Sequence, residues 1–182
     1  VTPLQIMTDV KSVSKDSIIC KVDGVLTDLS AQLSNDCDLQ FMDAKSKDGH
    51  SVLLHSTAHL MAQAVKRLFP KTKVTIGPYL ENRFYYDFDV ETPFSEEDLA
   101  KIEAEMVKIS NENLEIIHEV KSRDEALSFF SKIEEDYKVE IINDLNKDEI
   151  LKVYSQGEFT DLCRGPHVPS TGTIKHFKLL SS

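Results

Sequence analysis

The sequence predicts an α+β protein: a small α/β unit over residues 1–46, then, over 47–182, a domain of mainly antiparallel sheet with helices packed on it. Three observations carry this reading. The run from Ser51 to Phe69 has helical hydrophobic periodicity, polar segments led by Ser95 and Ser122 look like helix starts, and short β-rich stretches bounded by Gly, Pro and polar residues lie around them. With 182 residues, 41% hydrophobic and 29% charged, the chain can bury one large core or two smaller ones.

Thr2-Pro3 ahead of Leu4, Ile6 and Met7 predicts a short helix, with Thr2 as cap and Pro3 at the first helical position. Ser17–Val22, Asp23-Gly24 and Val25-Leu26 predict a hairpin with a type I′ turn, because Asp-Gly accepts the positive φ angles that turn demands. Leu39–Met42 reads as a further strand. So small a unit buries little and must lean on its neighbour or on a strand it lacks. Lys45–Gly49, polar and glycine-containing, reads as the connector to the second unit.

In the long helix Leu53, Leu54, Ala58, Leu60, Met61, Ala64, Val65 and Leu68 form the apolar side, leaving Gln63, Lys66 and Arg67 to face water. Pro70 stops it. Lys73–Ile76 and Arg83–Phe88 read as strands joined through Gly77-Pro78, Ser95–Asp98 caps a helix to about Asn111, Glu115–Val120 is a strand, and Ser122–Glu125 caps a helix to about Glu135. Val139–Ile142, Leu151–Tyr154 and Ile174–Leu179 are further strand candidates, with a loop from Cys163 to Gly172 between the last two.

The net charge of -10 argues against a protein that grips nucleic acid by its own phosphate contacts. No apolar run approaches the roughly 20 residues that span a bilayer, and the first residues lack a secretory pattern, so a cytoplasmic protein without membrane partners is expected. Cys20, Cys37 and Cys163 are odd in number and lack a CxxC pair, which speaks against a disulfide framework.

His55 and His59 stand four apart, on one face of the long helix. Cys163 and His167 are also four apart, but the intervening Gly165-Pro166 rules out a regular helix and makes that segment a loop. Either pair alone is weak, since most such histidines pack or sit on the surface. Together they supply three imidazoles and a thiol, the groups that bind zinc or move protons, though not at zinc-finger spacing. The central expectation is that the fold lays the loop over the helix to make one site. Asp161, two residues before Cys163, is either a loop acid in an Asx turn or an orienter of a histidine and acceptor for a substrate. Tyr86 shares a core-like stripe with Phe84 and Phe88 yet carries a hydroxyl, and Lys138, ahead of a candidate strand, is by default a solvated charge. Cys20 and Cys37 read as packing residues, and His50, His118 and His176 as unremarkable surface or edge positions.

The blocks HSTAHLMAQAVKRLFP, VTIGPYLENRFYYDFD and EFTDLCRGPHVPSTGTIKHFKLL, in that order, closely resemble the amino-terminal region of bacterial-type threonyl-tRNA synthetases. The resemblance makes residues 1–46 a ubiquitin-like TGS domain whose first helix is VTPLQI and whose opening hairpin is missing. It makes 47–182 an editing domain, related to that of the alanyl enzymes through HxxxH and CxxxH. It also implies that the class II catalytic and anticodon-binding domains lie outside this chain. With them would go amino-acid activation, its ATP, magnesium and zinc, and most of the hold on tRNA, which accounts for the acidic charge. The full-length enzyme would be a homodimer, and the fragment is free to be a monomer.

The implied activity is hydrolysis of serine wrongly esterified to tRNA(Thr). One missing methyl gives a synthetic site only about 1–3 kcal/mol of discrimination, so a second sieve is required. That sieve must admit serine and leave no room for the β-methyl of threonine, with backbone at Gly77 as the expected wall. Carried onto this sequence, His55 and Lys138 would handle the water and its protons, while His59, Cys163, Asp161 and Tyr86 would fix serine and the terminal adenosine. His167 would shape the pocket and bind substrate. Editing would need no cofactor. The alternative is zinc on His55, His59, Cys163 and His167, as in the alanyl relatives. Rival functions are an alanyl-type editor and a non-catalytic RNA-binding or regulatory module.

Overall fold

The computed structural model describes residues 1–77, 79–80 and 82–181. Helix α1 (Pro3–Asp9) opens on a capping box of Thr2 and Gln5. Strands β1 (Ser17–Val22) and β2 (Val25–Thr27) pair antiparallel across Asp23-Gly24, whose φ angles of 49° and 82° are those a type I′ turn requires. β3 (Leu39–Asp43) pairs with the other edge of β1. This sheet faces two cores: Cys20 packs with Met7 and Leu29, while Ile18 and Ile19 join Val52 and Leu60 in the main core. The register shift between Ser17 and Ile19 lets those neighbouring isoleucines reach the same core. Through them the small sheet leans on the second unit.

Helix α2 (Lys47–Leu68) starts earlier than its periodicity suggests. Its cap is Ser46, whose hydroxyl accepts from Gly49 N, so most of the expected connector is helix cap and first turn. The helix is also buried beyond its apolar side. Gln63 does not face water: it is fully buried, with Nε2 donating to Gln156 O (3.1 Å) and Glu158 Oε1 (3.0 Å) and its own Oε1 accepting from Gln156 Nε2 (2.9 Å). Arg67 is embraced by Glu105, Glu112 and Glu158, and Lys66 pairs with the buried Glu135 at 2.6 Å. Periodicity marks the apolar face but is silent on what covers the other one.

The two strands expected after Pro70 break into four pieces, β4 (Lys73–Val74), β5 (Tyr79–Leu80), β6 (Arg83–Phe84) and β7 (Phe88–Asp89), paired β4–β7 and β5–β6. Thr75 N and Oγ1 both donate to Asp87 O, so the outer pairing continues irregularly around the inner hairpin. Of the predicted Gly77-Pro78 joint, Pro78 lies outside the described residues. α3 (Glu96–Glu112) begins on the predicted Ser95–Asp98 capping box and ends at Asn113 in the left-handed region, φ 51°.

β8 (Ile116–Lys121) and α4 (Arg123–Lys132, capped by Ser122) also follow the sequence reading. Val139–Ile142 does not: it belongs to helix α5 (Asp136–Asp144). Lys138 and Ile142, one turn apart, share its buried face, and Ile142 packs against Ala126, Phe130 and Val153. β9 (Leu151–Gln156) returns as β10 (Phe159–Leu162), which the sequence reading missed, through a tight turn at Gly157 with φ 59°. The resulting antiparallel sheet has the order β10-β9-β8. Ile174–Leu179 is not a strand. After a 3-10 turn over Thr171–Thr173 it runs along α3, where the side chains of Ser110 and Glu103 take the backbone groups of Ile174 and Leu179. Among the described residues no helix is long and apolar enough to cross a membrane.

Candidate active site

The loop after β10 folds back over α2. His55 Nε2 lies 3.0 Å from Cys163 Sγ, Cys163 Sγ lies 3.4 Å from His167 Nε2, and the ring of His167 sits 4.5 Å from that of His55 and 4.4 Å from that of His59. Ligand atoms of all four residues fall within 4.8 Å of one another. Gly165, with φ 66°, makes the return sharp: a Cβ there would lie 1.9 Å from Tyr154 Oη, a space no side chain can occupy.

Ser56 Oγ accepts from Val168 N (3.1 Å) and lies 2.9 Å from His167 Nδ1. His167 Nε2 faces Cys163 Sγ, which accepts from Gly165 N at 3.2 Å. The Cys163 thiol, pushed up to about 12 by burial, keeps its proton beside His55 Nε2. His55 also has a hydrogen bond with the Gly77 backbone. Four side chains thus form a relay of contacts from Ser56 to His55.

The second half of the site is charged. Lys138 and Asp161, 3% and 1% exposed, meet at 2.6 Å, so neither the solvated lysine nor the loop aspartate expected by default survives. Lys138 Nζ donates to Thr75 O (2.6 Å) and Tyr86 Oη (3.1 Å), and Tyr86 Oη donates to Asp161 Oδ2 (2.6 Å). Asp161 Oδ2 is 3.7 Å from His59 Nε2. Asp161 Oδ1 touches the ammonium as an ion pair without hydrogen-bond geometry, and among the described residues no donor is directed at it. Tyr86 fills both roles foreseen for it, packing with Ala58, Ala62 and Phe159 while its hydroxyl enters this cluster. Burial and then the Asp161 carboxylate push its phenol well above the usual tyrosine range.

A cavity of about 670 Å³ opens on this assembly, with His55, Gly77, Tyr86, Lys138, Asp161 and Cys163 on its wall. His59 also reaches it; His167 stands behind Cys163, off the cavity surface. Gly77 is pressed against Tyr86, where an added Cβ would lie 2.1 Å from ring carbon Cδ2. The structure therefore gathers every residue singled out in the sequence. It adds Ser56, Thr75, Tyr154 and Asp28, which carried no local signal. His118, read as unremarkable, lies with Nδ1 3.4 Å from Asp28 Oδ2.

All three imidazoles are held neutral. Burial depresses His59 and His167 well below the ordinary histidine value, helped by His55 and Lys138 at His59 and by the other two histidines at His167. Burial also lowers His55, against opposing pulls from Asp161 and the Gly77 backbone bond. A histidine depressed in the fold binds its proton more readily when unfolded, so its stabilising contribution is complete above the unfolded value near 6.5 and is lost as pH falls below it. Each can cost up to about 1.4 kcal/mol per pH unit. Urea midpoints are expected to fall clearly between about pH 7.5 and about pH 5.5, above the range where carboxylates titrate; a flat profile would show that these imidazoles already ionise in the fold.

A model of the threonyl and alanyl tRNA synthetase second additional domain matches residues 151–182, the stretch that carries Asp161, Cys163 and His167. The chain is 54% identical over 168 residues to the threonine--tRNA ligase of Symbiobacterium thermophilum, covering 92% of this chain and 26% of that protein. It is 55% identical over 168 residues to that of Pelobacter propionicus (92% and 26%) and 53% over 169 to that of Fusobacterium nucleatum (92% and 27%). These matches support a threonyl-tRNA synthetase fragment. The chain spans about a quarter of the length of these relatives.

In this threonyl-tRNA synthetase segment the His55, His59, Cys163 and His167 donor set is compatible with zinc. Bonds of about 2.0–2.1 Å to nitrogen and 2.3 Å to sulfur would put tetrahedral donors roughly 3.3–3.6 Å apart, the larger value for a sulfur–nitrogen pair. The two contacts of Cys163, 3.0 and 3.4 Å, are shorter and the set as a whole lies within 4.8 Å, so the donors would adjust around the ion. Held there, zinc would polarise an ester carbonyl or a bound water.

Proposed function

We propose that this chain is the proofreading part of a threonyl-tRNA synthetase, hydrolysing the ester of serine misattached to tRNA(Thr) and sparing threonyl-tRNA. The observation that carries the reading is the meeting of neutral imidazoles with a buried Lys138–Asp161 pair on one cavity wall. The rest of the longer protein would hold most of the tRNA. Residues 1–46 would be the TGS unit and 47–182 the editing unit.

The chemistry is direct attack by water. Cys163, with its thiol pushed up to about 12, is no nucleophile at neutral pH. His55 is neutral, reaches the cavity, and lies in the field of the Asp161 carboxylate, which favours the imidazolium formed when the ring takes a proton from water. Its contact with the thiol is a weak hydrogen bond that a water can replace. Lys138 supplies positive charge for the tetrahedral oxyanion and a proton for the leaving ribose oxygen. Asp161 Oδ1, without a hydrogen-bond donor of its own, suits the amine or hydroxyl of the seryl group. His59 and Tyr86 brace that carboxylate, and His167 holds Cys163. The contact of Gly77 with the Tyr86 ring supports a stiff wall against a β-methyl.

The test is deacylation of seryl-tRNA(Thr) and threonyl-tRNA(Thr) at high protein concentration. The serine ester should be cleaved at least about tenfold faster, and His55→Ala should lower that rate by about 10²–10⁴. Equal loss of both esters from the unmodified chain would refute methyl exclusion. Binding of tRNA with the serine ester left intact would favour a non-catalytic module. Seryl-tRNA(Ala) cleaved in preference would favour the alanyl-type reading.

Hydrolysis is assigned here to protein groups alone. Metal analysis of untagged protein checks this: less than stoichiometric zinc, removed by chelator with the rate unchanged, is expected. Near-stoichiometric, chelator-resistant zinc that vanishes in Cys163→Ala would replace this mechanism with the metal-assisted one.

A further inference from the structure

We infer that Asp28, from the segment after β2, is a positioning residue that holds the Cys163–His167 loop in working order, so that the amino-terminal sheet unit completes the hydrolytic site. The inference rests on the hydrolytic reading above. Asp28 is 6% exposed, and both its oxygens are spent on the far unit. Oδ1 accepts from the backbone N of His167 at 2.8 Å; Oδ2 accepts from Tyr154 Oη at 2.8 Å and has His118 Nδ1 at 3.4 Å.

The aspartate stands on a firm base. Its neighbour Leu29, 1% exposed, packs with Met7 and Cys20, and Leu29 O accepts from Leu4 N at 2.8 Å. Local structure within residues 1–46 has no need of the Asp28 carboxylate to satisfy its own backbone, since the carbonyl of Asp28 is the group that accepts from Ala31 N. The carboxylate points instead at His167.

His167 is consequently gripped at two ends, its ring by Ser56 of α2 and its main chain by Asp28. Its Nε2 orients Cys163, and Cys163 orients His55. Tyr154, fixed by Asp28, is also the surface on which Gly165 turns and on which the His167 ring rests at 4.5 Å. Without the carboxylate, a buried N–H in the middle of the loop has no acceptor, and the relay loses its fixed end. Asp28 is not on the cavity wall. Its loss should therefore touch the chemical step and leave substrate binding nearly alone.

The experiment compares Asp28→Ala and Asp28→Asn with the unmodified chain in seryl-tRNA(Thr) deacylation, and follows the His167 backbone amide by NMR in unmodified chain and Asp28→Asn. Asp28→Ala is expected to lower kcat at least tenfold with KM within twofold. Asp28→Asn, which keeps an acceptor oxygen in place, should return kcat to within threefold of the unmodified chain. Its His167 amide proton should move upfield, because a neutral acceptor replaces a charged one, while amides of α3 stay put. A folded Asp28→Ala with unchanged kcat, an Asp28→Asn as slow as Asp28→Ala, or an unmoved His167 amide would each overturn the inference. If Asp28→Ala does not fold, the rate and amide shift of Asp28→Asn decide alone. If neither the unmodified chain nor His55→Ala cleaves the ester, the hydrolytic reading has failed instead, and the amide shift still judges whether Asp28 holds the loop.

Discussion

Lys138→Ala is expected to lower seryl-ester hydrolysis by about 10²–10⁴ and to destabilise the fold by about 3–5 kcal/mol. The two losses have one origin. Lys138 and Asp161 are almost wholly buried at 2.6 Å, and truncating the lysine strands a carboxylate whose remaining hydrogen-bond donor is the Tyr86 hydroxyl. A second substitution separates stability from chemistry. In Lys138→Met/Asp161→Leu neither half of the pair is left as an unpaired buried charge, so most of the stability should return, since apolar replacement of a buried pair is often neutral. The rate should not return. Urea unfolding and deacylation on the same preparations check both, and a Lys138→Ala as stable as the unmodified chain would show that water reaches Asp161 freely.

Gly77→Ala should cost about 1–3 kcal/mol of stability and about 10²-fold in rate. The added methyl falls 2.1 Å from Tyr86 Cδ2 and 2.5 Å from Cε2, too close for the ring to stay where it is. The ring packs in a cluster with Ala58, Ala62 and Phe159, and its hydroxyl is tied to Asp161 and Lys138. Relief must come from moving Tyr86 or the Gly77 backbone that meets His55, and a displacement near 1 Å at reacting groups is worth about two orders of magnitude. Single-turnover deacylation measures the rate, thermal unfolding the strain. A variant equal to the unmodified chain in both would show that this wall yields, and would remove the support it lends to methyl exclusion.

What could be foreseen in the chain divides along physical lines. Local rules held where the forces are local: the capping boxes at Ser95 and Ser122 mark the starts of α3 and α4, Asp23-Gly24 makes its turn, and His55 and His59 share a face. Val139–Ile142 misled because a β-branched run reads as a strand, while the helix containing it starts at Glu135 with no side-chain cap to announce it. That error hid the burial of Lys138. Gln63 misled for the opposite reason, its covering groups Gln156 and Glu158 being more than ninety residues away. Asp28 is the extreme case: nothing near it in the chain hints at a partner 139 residues downstream.

The interlocked amides of Gln63 and Gln156 have a bearing on accuracy. They sit where the β9–β10 turn meets α2, one helical turn beyond His59, and outside the cavity. Were the hairpin to slide by one residue, alternation would swing Thr160 or Leu162 towards Lys138 and carry Asp161 to the opposite side. Every such offset strands two buried amides, so the hairpin has a single seating on the helix. In the proposed editing reaction, fidelity towards one methyl group would thereby be keyed by two neutral side chains that lie outside the cavity.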